Sequence, residues 1–180
     1  MTGTLPRPTG LTHVSVGLGW DPVRSGKFRR PTKDIDLNAA ALSFSGTRFV
    51  DIAFHEQLTS RDGAVRHLGD NVTGVGEGDD ELVLVDLTRL DAQVTSVVLL
   101  MTCYTGQRFD RIENGFCRLV DNVAGTELAR IELAGTGSHT GLILGKLHRP
   151  HGSWRFTLIA QPIEAEHVAD AIPHLTPYLT

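Results

Sequence analysis

The chain has 180 residues, about the length of one domain. Hydrophobic residues make up 41% and charged residues 21%, near the globular average, which excludes disorder and low complexity as overall descriptions. Lys plus Arg number 17 against 21 Asp plus Glu, a net charge of −4 that lacks the basic excess of a dedicated nucleic-acid binder. The longest purely apolar run, Val97 to Met101, falls far short of the ~20 residues that span a bilayer. The first ten residues hold no apolar core of a secretory signal. Cys103 and Cys117 lie in apolar stretches and cannot make a disulfide framework. A cytoplasmic single domain is expected.

In chain order, a tail over 1–10 precedes a run of short segments with period-two apolarity. Val14, Val16, Leu18 and Trp20 alternate with small or polar residues, and Ile35, Leu37 and Ala39 alternate with Asp36, Asn38 and Ala40. Further strands are predicted over 48–54, 64–68, 82–88, 94–104, 116–121, 127–133, 141–148 and 153–161. The nearly continuous runs LVLVDL and VTSVVLLM read as strands buried on both faces. Asp62-Gly63, Asn114-Gly115 and the cluster Asn122 to Gly125 read as turns, the first two of hairpin type. Residues 164–172, EAEHVADAI, predict one short amphipathic helix. The fold class is therefore all-β: an antiparallel β-sandwich of about ten strands over 11–163, with a C-terminal helical segment over 164–180.

The chemistry concentrates in Gly69-Asp70-Asn71-Val72-Thr73-Gly74-Val75-Gly76-Glu77-Gly78-Asp79-Asp80-Glu81, which holds five carboxylates, four glycines and no Lys or Arg. Such carboxylates repel unless a cation sits among them. Hard oxygen donors without His or Cys select calcium or magnesium, and calcium's irregular six to eight ligands suit a flexible loop better. A solvated acidic turn is the alternative. Phosphate cradling by the alternating glycines is disfavoured by Glu77, Asp79 and Asp80 and by the missing lysine. A second cluster, Asp34-Ile35-Asp36-Leu37-Asn38, opens like an EF-hand loop, but Ala39 and Ser45 break that pattern. On a strand Asp34, Asp36 and Asn38 share a face, with alternate residues ~6.6 Å apart. Two oxygens on one calcium are at most about 5 Å apart, so these aspartates must converge or serve different ions.

The ordered stretches VSVGLGWD, DIDLNAAAL, GDNVTGVGEGDDE and NGFCRLVDNVAGTELARIEL resemble the tellurite-resistance TerD family over roughly residues 10–162. The resemblance implies a calcium-binding β-sandwich of bacterial stress-response operons with no enzymatic activity. It implies one or two Ca2+ ions held by Asp34, Asp36, Asp70, Asn71, Glu77, Asp79, Asp80 and Glu81, with Asp21 a lesser candidate. Asn38 and Val75 stand where the family usually has acids, and Ala40 replaces a common serine. Fewer ligand charges imply weaker binding or the loss of one ion. Protein partners, paralogues among them, are expected.

Beside the acidic strand, the loop 22–33 carries Arg24, Lys27, Arg29, Arg30 and Lys33. If the first two strands form a hairpin, this loop lies at the Asp34 end. There it would offer an anion-docking rim, recruiting a polyanion such as the inner membrane surface only with calcium bound. Neutralisation of the acidic site is the competing reading. A divalent-metal phosphoesterase using the clustered aspartates is the alternative function, although the acidic loop holds no His or Lys to help a leaving group. The pair His148 and His151 is not aligned for zinc, because Pro150 disfavours the helix between them. His55-Glu56 resembles an acid–base pair only superficially, and the cysteines read as inert core. The rim reading predicts that replacing Arg24, Lys27, Arg29 and Arg30 by serine abolishes calcium-dependent liposome or DNA retention in co-sedimentation; unchanged retention rejects it.

Overall fold

The computed structural model describes residues 10–23, 34–69 and 78–180. Ten strands form: β1 (His13–Gly19), β2 (Leu37–Ser45), β3 (Arg48–Ala53), β4 (Val65–His67), β5 (Glu81–Asp86), β6 (Ser96–Cys103), β7 (Phe116–Asp121), β8 (Thr126–Glu132), β9 (Gly141–His148) and β10 (Arg155–Ile163). They make two five-stranded sheets, ordered β4-β5-β1-β7-β8 and β10-β9-β6-β2-β3. Every pairing is antiparallel. The expected β-sandwich of ten strands is what the chain forms.

The period-two pattern explains the packing. Val14, Val16 and Leu18 of β1 and Val83 and Val85 of β5 face Leu37, Ala39, Ala41, Leu99 and Met101 of the second sheet across one core. The opposite face of the second sheet presents Ala40, Leu42, Leu100 and Ile143 to a further cluster, contributed by Ile163, Ala165, Val168, Ala171, Leu175 and Leu179. The C-terminal segment is thus a third layer. That is why VTSVVLLM is apolar throughout: β6 is buried along its whole length. LVLVDL differs, since the outer positions of β5 are only half-buried and one face meets the core.

The chain departs from its sequence reading in several places. β1 and β2 do not form a hairpin: β1 pairs with β5 and β7, whereas β2 pairs with β3 and β6. The chain crosses between sheets there, yet the indole Nε1 of Trp20 donates to the Ile35 carbonyl at 3.1 Å and keeps the two ends together. Asn114-Gly115 is also not a hairpin turn, because β6 and β7 lie in different sheets. Asn122 to Gly125 does join the paired strands β7 and β8. The predicted helix over 164–172 shrinks to α1 (Val168–Ala171), followed by 3-10 turns at Ile172–His174 and Thr176–Tyr178. Pro173 and Pro177 remove the amide donors that a longer helix would need.

Truncating the third layer tests its part in stability. Leu175 is fully buried in the outer cluster. Leu175→Ala is expected to cost about 2–5 kcal/mol in urea unfolding, the range for a large-to-small change in a packed core.

Candidate functional site

The described acidic residues gather where the first sheet meets the open end of β2. Asp34 and Asp36 lie in the extended segment leading into β2 rather than on the strand itself, because ladder pairing begins at Leu37. Asp34 is exposed, and its carbonyl accepts from the Gln107 side chain. Asp36 is buried, its amide donating to Thr105 Oγ1 at 3.0 Å and its carbonyl accepting from Tyr104 N–H at 2.9 Å. Asn38 donates through Nδ2 to Asp36 Oδ1 at 2.9 Å. The other amide atom, Asn38 Oδ1, is buried without a hydrogen-bond partner among the described residues, on a residue only 3% exposed.

Glu81 opens β5, and its side chain is fully buried. Its Oε1 accepts from the Ala39 backbone N–H, so a carboxylate of one sheet caps the unpaired edge of β2 in the other. The same oxygen lies 2.8 Å from His67 Nε2 on β4. His67 Nδ1 accepts from Gly69 N–H at 3.2 Å, which assigns the Nε2–H tautomer and makes His67 the donor to Glu81.

Asp79 is held as firmly. Arg118 on β7 donates to both of its oxygens, from Nε at 2.9 Å and from Nη2 at 2.8 Å, the bidentate geometry that a carboxylate and a guanidinium favour. The hydrogen bond to Asp79 holds Arg118 above its ordinary pKa, against a smaller opposing effect of burial. This pair lies over the outer face of β1, where a Cβ on Gly17 would sit 2.5 Å from the Asp79 Cγ. The glycine of VSVGLGW therefore leaves the space that the aspartate fills.

Asp80 Oδ2 accepts from Trp20 N–H at 2.9 Å, and Asp80 N–H donates to the Leu18 carbonyl at 2.7 Å. Burial pushes the Asp80 carboxyl above the ordinary carboxylate range. The Trp20 amide opposes that rise, and the charges of Asp79 and Asp21 add to it. Asp21 itself accepts from Asn114 Nδ2 at 2.8 Å.

Of the sequence-predicted ligands, Asp34, Asp36, Asp79, Asp80 and Glu81 are thus placed at this end. Asp70, Asn71 and Glu77 lie outside the described residues, as do the rim residues Arg24, Lys27, Arg29 and Arg30. The described carboxylates do not converge as a compact trio. Among the described residues, the three-residue group whose donor atoms all lie within 4.8 Å is His55, Glu56 and His167, on the other side of the second sheet. Sequence reading missed it because His167 is far from His55-Glu56 in the chain. It also gave no role to Arg118 or His67, whose acidic partners lie on other strands. The thiols offer no reactive thiolate: burial raises both Cys103 and Cys117, and the Asp79 charge adds to the rise at Cys117.

The TerD domain model matches residues 5–170. The chain belongs to the TerD family. It is 39% identical over 167 residues to the tellurium resistance protein TerZ of Serratia marcescens, covering 90% of this chain and 86% of that protein. Against the TerD protein of the same organism, identity is 36%, with 84% and 81% covered. Against the stress response protein SCP2 of Bacillus subtilis it is 32%, with 91% and 89% covered. The crystal structure of a homologue of the telluride resistance protein (TerD) from Streptomyces coelicolor A3(2) superposes with a TM-score of 0.77 at 23% identity. The match covers 89% of this chain and 95% of that one, and it shows the shared fold. Among the described residues of this TerD-family chain, no helix is long and apolar enough to cross a membrane.

The raised carboxyl of Asp80 fixes a sign for the pH dependence of stability. A folded-state pKa above the unfolded one means that the folded protein binds the extra proton, so Asp80 lowers stability as pH rises through its titration. Asp80→Asn keeps an acceptor for Trp20 N–H and removes the charge. Thermal melts in chelator are expected to show Asp80→Asn more stable than the parent at pH 7, with the gain shrinking as pH falls through the carboxylate range.

Proposed function

We propose that this TerD-family chain is a non-enzymatic calcium-binding module acting in tellurite resistance and stress response in the bacterial cytoplasm. Relatives named for those roles support the physiological part. The observation that carries the calcium part is the buried amide oxygen Asn38 Oδ1, without a hydrogen-bond partner among the described residues and next to Asp36. A buried polar oxygen left without a partner costs free energy that a hard cation would recover.

The donor chemistry fits: Asp36 and Asn38 offer oxygens at the open end of β2, and the Asp80 carboxyl is disfavoured in its charged form by burial and by two neighbouring acids. Asp36, Asn38 and Asp80 would hold the ion, with Asp21 and further acids of the 70–77 segment as candidates beside them. Asp79 and Glu81 take a different role in this reading. Their charges already meet Arg118 and the His67 N–H, so they anchor the site rather than ligate. When bound, calcium supplies positive charge that relieves the repulsion among the remaining carboxylates. The protein's own part is to keep Trp20, Ile35 and Asp80 in contact so that this relief reaches both sheets.

Isothermal titration of chelator-stripped protein tests the reading. Saturable binding that prefers calcium over magnesium is expected, with affinity falling about tenfold or more in Asp36→Asn and in Asp80→Asn. Asp79→Asn and Glu81→Gln are expected to lower metal-free thermal stability more than calcium affinity. No calcium heat, or an unchanged affinity in the Asp36→Asn plus Asp80→Asn protein, overturns the proposal.

A further inference from the structure

On the outer side of the second sheet, three side chains that the calcium reading does not use point at one another. Phe54 and Gln57 exchange backbone hydrogen bonds at 2.9 and 3.0 Å, which makes His55-Glu56 the tip of a tight turn after β3. His167 is the N-cap of α1, its backbone N–H donating to Asp170 Oδ2 at 3.0 Å. Val168 and Ala171 anchor that helix in the outer apolar cluster. Both supports are therefore fixed before any ligand arrives.

The donor atoms sit at ion-pair range of one another but beyond hydrogen-bond range. His55 Nε2 lies 3.6 Å from Glu56 Oε1, and His167 Nε2 lies 3.7 Å from Glu56 Oε2. Both exceed hydrogen-bond length. All three groups offer a donor atom within 4.8 Å of the others. Tetrahedral zinc with bonds near 2.0–2.1 Å needs ligand separations of about 3.3 Å, so donor atoms within 4.8 Å of one another must close by at most about 1.5 Å on loading. The rings are held in place by edge contacts: Phe54 to His55 at 5.3 Å, Tyr104 to His55 at 5.8 Å, and His55 to His167 at 5.8 Å. His55 Nδ1 is buried and makes no hydrogen bond among the described residues, so none of them ties the ring to one tautomer from that side.

We propose that His55, Glu56 and His167 form a binding site for a divalent transition metal of the zinc type. Two imidazoles and one carboxylate select borderline ions over calcium, and they leave a fourth position for water beside the exposed Glu56. The site ties the turn after β3 to the start of the C-terminal layer. It also competes with a hydrogen bond of the metal-free chain. His167 Nδ1 accepts from Ala169 N–H at 3.1 Å, whereas a metal on Nε2 moves the ring proton to Nδ1. Metal loading therefore releases the Ala169 amide.

The test is zinc titration of untagged, chelator-stripped protein by calorimetry, with cobalt absorption as a second reading of the ligand field. One zinc per chain is expected, a tetrahedral cobalt spectrum, and faster exchange of the Ala169 amide on loading. His167→Ser removes the ligand but keeps a good N-cap, and Glu56→Gln alters an exposed side chain, so both variants should fold as the parent does in metal-free melts. Each is expected to lower zinc affinity by about tenfold or more, while Asp36→Asn and excess calcium leave it unchanged. Absence of stoichiometric zinc binding overturns the proposal, as does parental affinity in His167→Ser.

Discussion

A carboxylate buried between two sheets governs the acidic end of this molecule. Glu81 belongs to the first sheet, yet it accepts a backbone N–H from β2 of the second sheet and sits on His67 Nε2 of its neighbour β4. A buried carboxylate with no solvent exposure is tolerable only when its hydrogen-bond donors are in place, and removing one leaves its desolvation uncompensated. The sandwich cannot separate at this edge without leaving Glu81 bare. β3 stops at Ala53, and the β2 edge that it leaves unpaired is the edge that Glu81 caps.

The same node fixes the chain on both sides of residues 70–77. On the near side, Gly69 N–H donates to His67 Nδ1 and Leu68 N–H to the Leu82 carbonyl. On the far side, Asp79 is clamped by Arg118 over Gly17, and Asp80 N–H meets the Leu18 carbonyl. Two members of a dense acidic run are thus consumed as structural anchors. Burial disfavours the Asp80 charge, and the neighbouring Asp79 and Asp21 add to that against the Trp20 amide.

The sequence made the β class legible because period two survives wherever one sheet face meets the core. Val14, Val16 and Leu18 point one way, and Ser15, Gly17 and Gly19 the other. It did not reveal that β1 and β2 belong to different sheets, since neighbouring strands usually pair and no local residue announces a crossover. The acidic residues were legible as a cluster but not in their roles. Asp79 and Glu81 look alike in a string of carboxylates, and only Arg118 and His67, distant in sequence, set them apart. The short helix was overextended because the pairing of Val168 with Ile172 mimics an amphipathic turn, whereas Pro173 and Pro177 turn the chain beyond Ala171 into 3-10 geometry.

Tyr104 joins the two candidate metal regions. Its backbone N–H holds the Asp36 carbonyl at the acidic end, and its ring packs on His55 and His167 at the other side of the sheet. The donor types on the two sides do not mix: carboxylate and amide oxygens surround the Asp36 end, whereas imidazole nitrogens dominate beyond Tyr104. Affinity for borderline divalent ions rises steeply with nitrogen ligation, whereas calcium gains little from it. Two ions of different hardness can therefore bind close together without exchanging places. Tyr104 meets the first region through its backbone amide and the second through its ring. A rotation of the Tyr104 ring leaves its backbone amide in place, so the two sites are expected to load independently.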